Sequence, residues 1–258
     1  VKFLAALILT VTTMSASETK LIRVLCWNIH HGVGVDGKLD LERIAKVITD
    51  AKPDLVALQE VDKQCSRSGK VDQTAELARL TGMTGVFGKA MDFGGGEYGQ
   101  AILSRHPIHS HKVHPLPGKG EPRIAFEAVI SIDNSKLKLI SLHLDLEPAQ
   151  RLTQAQTLVG LLKDSPEPAI LCGDFNDKPG SPTLAAIVPP WAMVPKQAPV
   201  FTYPADKPGN EIDFFFTRGL KHSTPVVVLP EAVASDHRPL LAELVPETPS
   251  SGKAGTKP

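Results

Sequence analysis

Ala169-Ile170-Leu171-Cys172-Gly173-Asp174-Phe175-Asn176 is the stretch on which the fold reading turns. Four apolar residues form a run of the length expected for a buried strand. The sequence then passes abruptly to Gly, Asp and Asn. The same arrangement recurs outward along the chain. Asn28 ends the apolar run Leu21 to Ile29, and Glu60 ends Asp54 to Val61. His143 and Asp145 end Leu137 to Leu144, Asp213 sits in Ile212-Asp213-Phe214, and Asp236-His237 precedes Arg238-Pro239-Leu240. Each placement alone has an ordinary structural reading, such as a turn cap, a solvated strand end or a paired core histidine. A buried carboxylate is costly unless it is paired or metal-bound. Six such placements therefore point to strand ends converging on one site.

Between these runs the chain alternates. Leu41, Ile44, Ala45 and Ile48 follow helical spacing behind Asp40, a plausible N-cap. Asp72 to Leu80 reads as a second helix closed near Gly82, and Pro148 to Leu162 as a third with Pro in its first turn. Gln100 to Ser104, Ile124 to Ile132, Ile212 to Phe216 and Val226 to Leu229 read as strands. Gly94-Gly95-Gly96 reads as a flexible loop near the site. Helices and strands mix without a linker or repeat, so the fold class is α/β (α+β) in one domain.

The 258 residues suit one large domain, with 28 Lys plus Arg balanced by 28 Asp plus Glu. Zero net charge argues against nucleic-acid binding by bulk electrostatics. Three cysteines exclude a disulfide-dense scaffold. Cys26 and Cys172 lie in apolar runs and are expected to be buried thiols, whereas Cys65 lies in a polar loop and is expected at the surface. Residues 1–17 read as a secretory signal, with Lys2 before an apolar Phe3 to Val11 and Met14-Ser15-Ala16-Ser17 as the cleavage region. An exported location, periplasmic or secreted, follows. The domain is expected over 18–246 and a disordered tail over 247–258, with no transmembrane segment after signal cleavage.

Carboxylate and amide oxygens are hard ligands that suit Mg²⁺, with Mn²⁺ or Ca²⁺ as alternatives. No closely spaced His/Cys set of the zinc type occurs. A divalent cation beside a histidine base suits hydrolysis of a phosphate ester. Gly-x-Ser-x-Gly, the Walker A loop and the dinucleotide Gly-x-Gly-x-x-Gly are missing from the sequence.

The ordered set Trp27-Asn28-Ile29-His30-His31-Gly32, Leu58-Gln59-Glu60-Val61-Asp62, Tyr98-Gly99-Gln100-Ala101-Ile102-Leu103-Ser104-Arg105, Ser141-Leu142-His143-Leu144-Asp145, Gly173-Asp174-Phe175-Asn176 and Ser235-Asp236-His237-Arg238-Pro239 resembles the endonuclease/exonuclease/phosphatase superfamily. That superfamily includes pancreatic-type DNase, AP endonucleases, neutral sphingomyelinases and inositol polyphosphate 5-phosphatases. The resemblance spans about residues 21–244 and implies a four-layer α/β sandwich of two packed mixed sheets flanked by helices. It implies Glu60 as the principal metal ligand, Asn28 near metal and phosphate, and Asp236 as a second metal-side carboxylate. Asp174 resembles the residue that orients or deprotonates water, and Asn176 its phosphate-holding neighbour. His237 resembles the histidine on the scissile phosphate, Asp213 its orienting carboxylate, and His143 the second histidine of the DNase and sphingomyelinase branches. Arg123 matches a phosphate-binding arginine in a short context. Arg67 is read either as a substrate contact or as a solvated loop cation, and Tyr98 either as a substrate contact or as packing. His30 stands where AP endonucleases carry Asp, which disfavours abasic-site repair. Gln59 to Gly82 resembles a bacterial subgroup described only as family hydrolases.

The implied activity is a divalent-metal-dependent phosphoesterase, a phosphodiesterase or phosphatase, acting by water attack. A small-molecule or lipid-headgroup substrate is favoured, because neutral charge with 2 Trp and 2 Tyr provides little for phosphate tracking and base stacking. Phe93 and Trp191 are read as packing rather than lipid-facing tips. A secreted nuclease on the same core and a non-catalytic binding module are the alternatives. The substrate is the expected partner, and the protein is expected to be a monomer without a stable protein partner.

Overall fold

The computed structural model describes residues 21–133 and 135–247. The expected signal and all but the first residue of the expected tail lie outside the described residues. In chain order the elements are β1 (Ile22–Asn28), α1 (Leu41–Ala51), β2 (Leu55–Lys63), α2 (Gln73–Thr81), β3 (Thr84–Phe93), β4 (Gly96–Ser104), β5 (Ile108–Leu116), β6 (Arg123–Ile132), β7 (Ser135–His143), α3 (Pro148–Leu162), β8 (Ala169–Asp174), α4 (Pro182–Ile187), β9 (Ala192–Met193), β10 (Asp213–Arg218), β11 (Leu220–His222), β12 (Val227–Val228) and β13 (Leu240–Pro246).

Two mixed sheets pack face to face. The first runs β11-β13-β1-β2-β4-β3 with β12 beside β13, and the second β5-β6-β7-β8-β10-β9. Strand periodicity explains the layers. In β1, Val24 and Cys26 point to the inter-sheet core, where they meet Phe126, Leu139, Cys172 and Phe215 from the second sheet. Leu25 and Trp27 point the other way, toward Ile44, Ile48 and Leu77 of α1 and α2. The second sheet does the same, burying Leu142, Leu171, Phe214 and Phe216 with Leu158 of α3 and Leu184 of α4. Strands covered on both faces read as continuous apolar runs, as these do. The result is the expected four-layer sandwich.

The helix ends follow their sequence signals. The Asp40 carboxylate accepts from Arg43 N at 2.9 Å, and that of Asp72 from Ala75 N at 3.0 Å. Gly82 closes α2 in the left-handed conformation at φ 66°. Val226 to Leu229 shrinks to the two-residue β12. Gly94 and Gly95 form the turn between β3 and β4 and line a cleft with Lys63, Gln64 and Glu97, separate from the site below except at Phe93.

Cys65 contradicts its expected exposure. It is fully buried, with Sγ 3.2 Å from the carbonyl oxygens of Phe93 and Glu97, because the β3–β4 hairpin folds over its loop. Trp191 packs in the core beside α4. No helix among the described residues is long and apolar enough to cross a membrane.

Candidate active site

Sheet register builds one side of the site. β7 and β8 run parallel with His143 opposite Asp174, and β8 and β10 antiparallel with Asp174 opposite Asp213. Three polar side chains thus stand in one row at the end of three adjacent strands. Gly173 permits this close pairing, since a Cβ there would lie 1.8 Å from the Leu142 carbonyl oxygen.

The other side is irregular. Asn28 closes β1, while Glu60 sits in a β-bulge between Leu58 and Val61 with φ 56°. The bulge breaks strand alternation and re-aims the Glu60 carboxylate. His30 and His31 follow Asn28 with φ 46° and 45°. A non-glycine residue in such a conformation costs about 1–3 kcal/mol and persists only where the surroundings impose it. Here Gln73 Nε2 donates to the His31 carbonyl at 2.6 Å. Gln59 joins the two sides, donating across the core from β2 to Ser141 Oγ in β7 at 2.9 Å.

The two sides meet at Asp174. Its Oδ2 accepts from Asn28 Nδ2 at 3.3 Å and lies 3.6 Å from both His143 Nε2 and His237 Nε2. The Asn28 amide also donates to Glu60 Oε1 at 3.0 Å. Asp174 Oδ1 accepts from Asn176 N at 2.8 Å, and the Asn176 side chain is tied to the Leu144 carbonyl at 3.0 Å. His237 arrives on the loop before β13. Its Nδ1–H donates to Asp213 Oδ2 at 3.0 Å, and the Thr202 hydroxyl donates to the same oxygen. The loop is anchored by Trp27 Nε1, which donates to the His237 carbonyl at 2.8 Å, and by Ser235 Oγ, which donates to the Asn28 carbonyl at 2.7 Å.

Burial and charge set the protonation states. Burial, aided by Asp213, pushes Asp174 up to about 7. Burial alone would lower His237, but Asp213 and Asp174 outweigh it and raise the imidazole to about 10. His143 is held well below the usual histidine range by burial, then by Arg123 and His237. Burial, with help from Glu60, raises the Tyr98 hydroxyl far above its ordinary value. The arrangement therefore holds a carboxylate poised near neutrality between one charged and one neutral histidine.

A pocket of about 400 Å³ opens onto these groups. Its lining brings together Glu60, Asp174, Asp236, His143, His237, Asn176, Arg67, Arg123 and Tyr98. Asn28 and Asp213 lie behind it and act through Asp174, Glu60 and His237. Arg123 is buried in the wall; its Nη1 pairs with Glu121 Oε1 at 3.0 Å, and its Nε has no hydrogen-bond partner among the described residues. Arg67 is exposed at the pocket's edge but is not a free cation. It forks onto Asp62 with two bonds of 2.8 Å, and its guanidinium lies 4.4 Å from the Phe93 ring and 5.3 Å from the Tyr98 ring. Asp145 does not join the site; its carboxylate accepts from Glu147 N ahead of α3.

Two contributors escaped the sequence reading. The Tyr203 ring packs 4.8 Å from that of His237, and Thr202 holds Asp213. Both come from the proline-flanked run Phe201-Thr202-Tyr203-Pro204, whose aromatic and hydroxyl residues between prolines were the available signal.

Four carboxylates, Glu60, Glu121, Asp174 and Asp236, line the pocket, and carboxylate oxygens are the ligands a hard divalent cation takes. A phosphate ester entering beside Glu60, Asp174 and Asp236 meets like charge unless a cation lies between. The residues present therefore fit a divalent metal ion, which Glu60 would hold, with Asp236 in the same lining and Asn28 bonded to Glu60. Asp174, Asp213 and His237 are also close enough together to hold an ion, but the His237 Nδ1–H is already directed at Asp213.

Two packed mixed sheets that deliver two histidines, a buried aspartate and a glutamate to one pocket define a class of phosphate-ester hydrolase folds. The chain belongs to the endonuclease/exonuclease/phosphatase family, whose model, described as "Endonuclease/Exonuclease/phosphatase family", matches residues 25–237. The uncharacterized protein YbhP of Escherichia coli (strain K12) is 25% identical over 242 residues, covering 86% of this chain and 95% of that protein. An endonuclease/exonuclease/phosphatase from Bacteroides vulgatus superposes with a TM-score of 0.74 at 20% identity, covering 88% of this chain and all of that one (100%). The mannosyl-6-phosphatase Bt3783 of Bacteroides thetaiotaomicron VPI-5482 gives a TM-score of 0.70 at 19% identity, covering 87% of this chain and 99% of that one. At these identities the two structures show a shared fold.

Proposed function

We propose that the protein is an exported, divalent-metal-dependent phosphoesterase acting on a small-molecule or lipid-headgroup phosphate ester, with Mg²⁺ as the first expectation for the metal. The observation that carries this reading is Asp174, buried between His143 and His237 at 3.6 Å from each. Asp174 orients a water molecule and takes its proton, a task for a base poised near neutrality. His237, charged and fixed by Asp213, donates to a phosphate oxygen as negative charge builds there. His143, kept neutral, offers its N–H to the phosphate or the leaving-group oxygen. Arg123, in the pocket wall, sets its positive charge beside the phosphate, and Asn176 lines the same wall. A bound cation supplies charge stabilisation at the phosphoryl oxygens.

The size of the pocket favours a small substrate, as does its rim of Phe93, Tyr98, Leu146 and Tyr203. The shared fold of a mannosyl-6-phosphatase agrees with a compact phosphate ester. The test is turnover with Mg²⁺, Mn²⁺ or Ca²⁺ on sugar phosphates, inositol phosphates, sphingomyelin and plasmid DNA. Faster turnover of the small esters or the lipid is expected. Faster cleavage of plasmid DNA would replace this reading with a nuclease.

A further inference from the structure

The turn after β1 carries a feature that phosphate chemistry leaves unused. His30 and His31 are adjacent in sequence, and both adopt left-handed backbone conformations. This folds their rings toward each other, with centroids 4.4 Å apart at 64°. The Glu60 bulge brings a carboxylate to the same place. One ring nitrogen from each histidine and one Glu60 oxygen all lie within 4.8 Å of one another. Three irregular positions, two in the turn after β1 and one in the β2 bulge, therefore converge on one point.

The hydrogen bonding leaves donors available. His30 Nδ1–H donates to the Val33 carbonyl at 3.0 Å, so Nε2 keeps its lone pair. A backbone carbonyl on one ring nitrogen is the usual way to orient a metal-binding imidazole. His31 Nδ1 is buried and has no hydrogen-bond partner among the described residues. A buried unpartnered polar nitrogen is unfavourable and calls for a partner. The charged groups facing His31 are Arg67, Asp62 and Asp236. Arg67 is tied to Asp62 by two bonds, which offsets its charge, and Asp236 adds another carboxylate.

We propose that His30, His31 and Glu60 form a site for a divalent transition-metal ion of the Zn²⁺ or Co²⁺ type. Two imidazoles and one carboxylate are a donor set that such ions prefer to Mg²⁺. Ligands on one such ion lie about 3–3.5 Å apart, so small side-chain rotations close the site around it. The spacing in sequence hides it, because the third ligand arrives from β2. The site shares Glu60 with the phosphoesterase reading and borders it at Asp236, while His30 and His31 take no part in that reading.

The test is Co²⁺ titration of the full-length, metal-stripped protein, read by visible d–d absorption, with Cu²⁺ electron spin-echo spectroscopy to count coordinated imidazole nitrogens. Wild-type protein should bind one tight equivalent, show two imidazoles, and keep its bands in millimolar Mg²⁺. His30→Gln and His31→Asn should each weaken binding by about tenfold or more, whereas His143→Asn and His237→Asn should leave the bands in place. The spin-echo count on wild type needs no variant, so misfolding cannot mask the answer. No imidazole coordination, full displacement by Mg²⁺, or bands unaffected in both His30→Gln and His31→Asn would overturn the site. Failure of phosphate-ester turnover with the Co²⁺ bands intact would remove the catalytic reading alone; normal turnover without imidazole coordination would remove this site alone.

Discussion

The two sheets contribute to one pocket in opposite ways. The second sheet delivers His143, Asp174 and Asp213 in a regular ladder, where register alone fixes their spacing. The first delivers Glu60 through a bulge and follows Asn28 with two strained histidines. A regular ladder suits proton transfer, which needs short, fixed separations between neighbours. An irregular edge suits ion binding, which needs donors turned out of strand alternation onto a common point. The difference suggests a division of labour, with acid–base work on one sheet and cation holding on the other.

Removing the key group of either side is the most severe way to break this division. His237→Ala and Glu60→Gln should each lower kcat/KM by about 10³-fold or more while leaving the far-ultraviolet circular dichroism unchanged. Comparable losses would show that both sides are needed; a loss on one side only would reduce the site to that sheet.

Asp213→Asn sharpens the comparison on the regular side. Asp174 takes up a proton as pH falls through about 7, and His237 loses one as pH rises through about 10. In the proposed mechanism the active state has Asp174 ionised and His237 charged. Activity should therefore rise through an acid limb no higher than about 7 and fall through an alkaline limb near 10. Asp213→Asn removes the charge that raises His237, so the alkaline limb should move to lower pH and kcat should drop by about 10²-fold. A pH–rate profile of wild type and variant checks both.

Two smaller effects concern construction. Gly173→Ala forces a Cβ onto the Leu142 carbonyl in the regular ladder, and should cost about 3 kcal/mol in urea unfolding. Gln59→Leu removes one of the hydrogen bonds that link the two sheets beneath the site. It should cost about 1–2 kcal/mol, with less than tenfold change in kcat.

The same contrast governs what could be read in the sequence. β1, β8 and the helices α1, α2 and α3 are legible because both sheets are buried on two faces and the helices on one. β3 and β5 went unread as strands. Each is the edge of its sheet, half exposed, and owes its strand conformation to a single neighbour, as in the polar Ile108-His109-Ser110-His111-Lys112. α4 is short and announces itself only by Ser181 and Pro182. In the site, Asp174, His143 and His237 were legible as polar residues breaking apolar runs. The register that sets them side by side was not, nor was the bulge at Glu60, because local sequence does not specify strand partners. Thr202 and Tyr203 reach His237 and its carboxylate only through the path of a proline-rich loop. Cys65 looked exposed because its neighbours are polar, while the hairpin that covers it comes from residues about thirty positions later.

The central claim is that one pocket, fed by both sheets, hydrolyses phosphate esters with a cation. It is tested most directly by p-nitrophenol release from bis-p-nitrophenyl phosphate and p-nitrophenyl phosphate. The assay compares metal-stripped wild-type protein, the same protein with Mg²⁺ or Mn²⁺ restored, and metal-restored His237→Ala. Turnover that appears only with the cation and is lost in His237→Ala is the predicted result. Turnover that persists without the cation, or is undiminished in His237→Ala, would contradict the account.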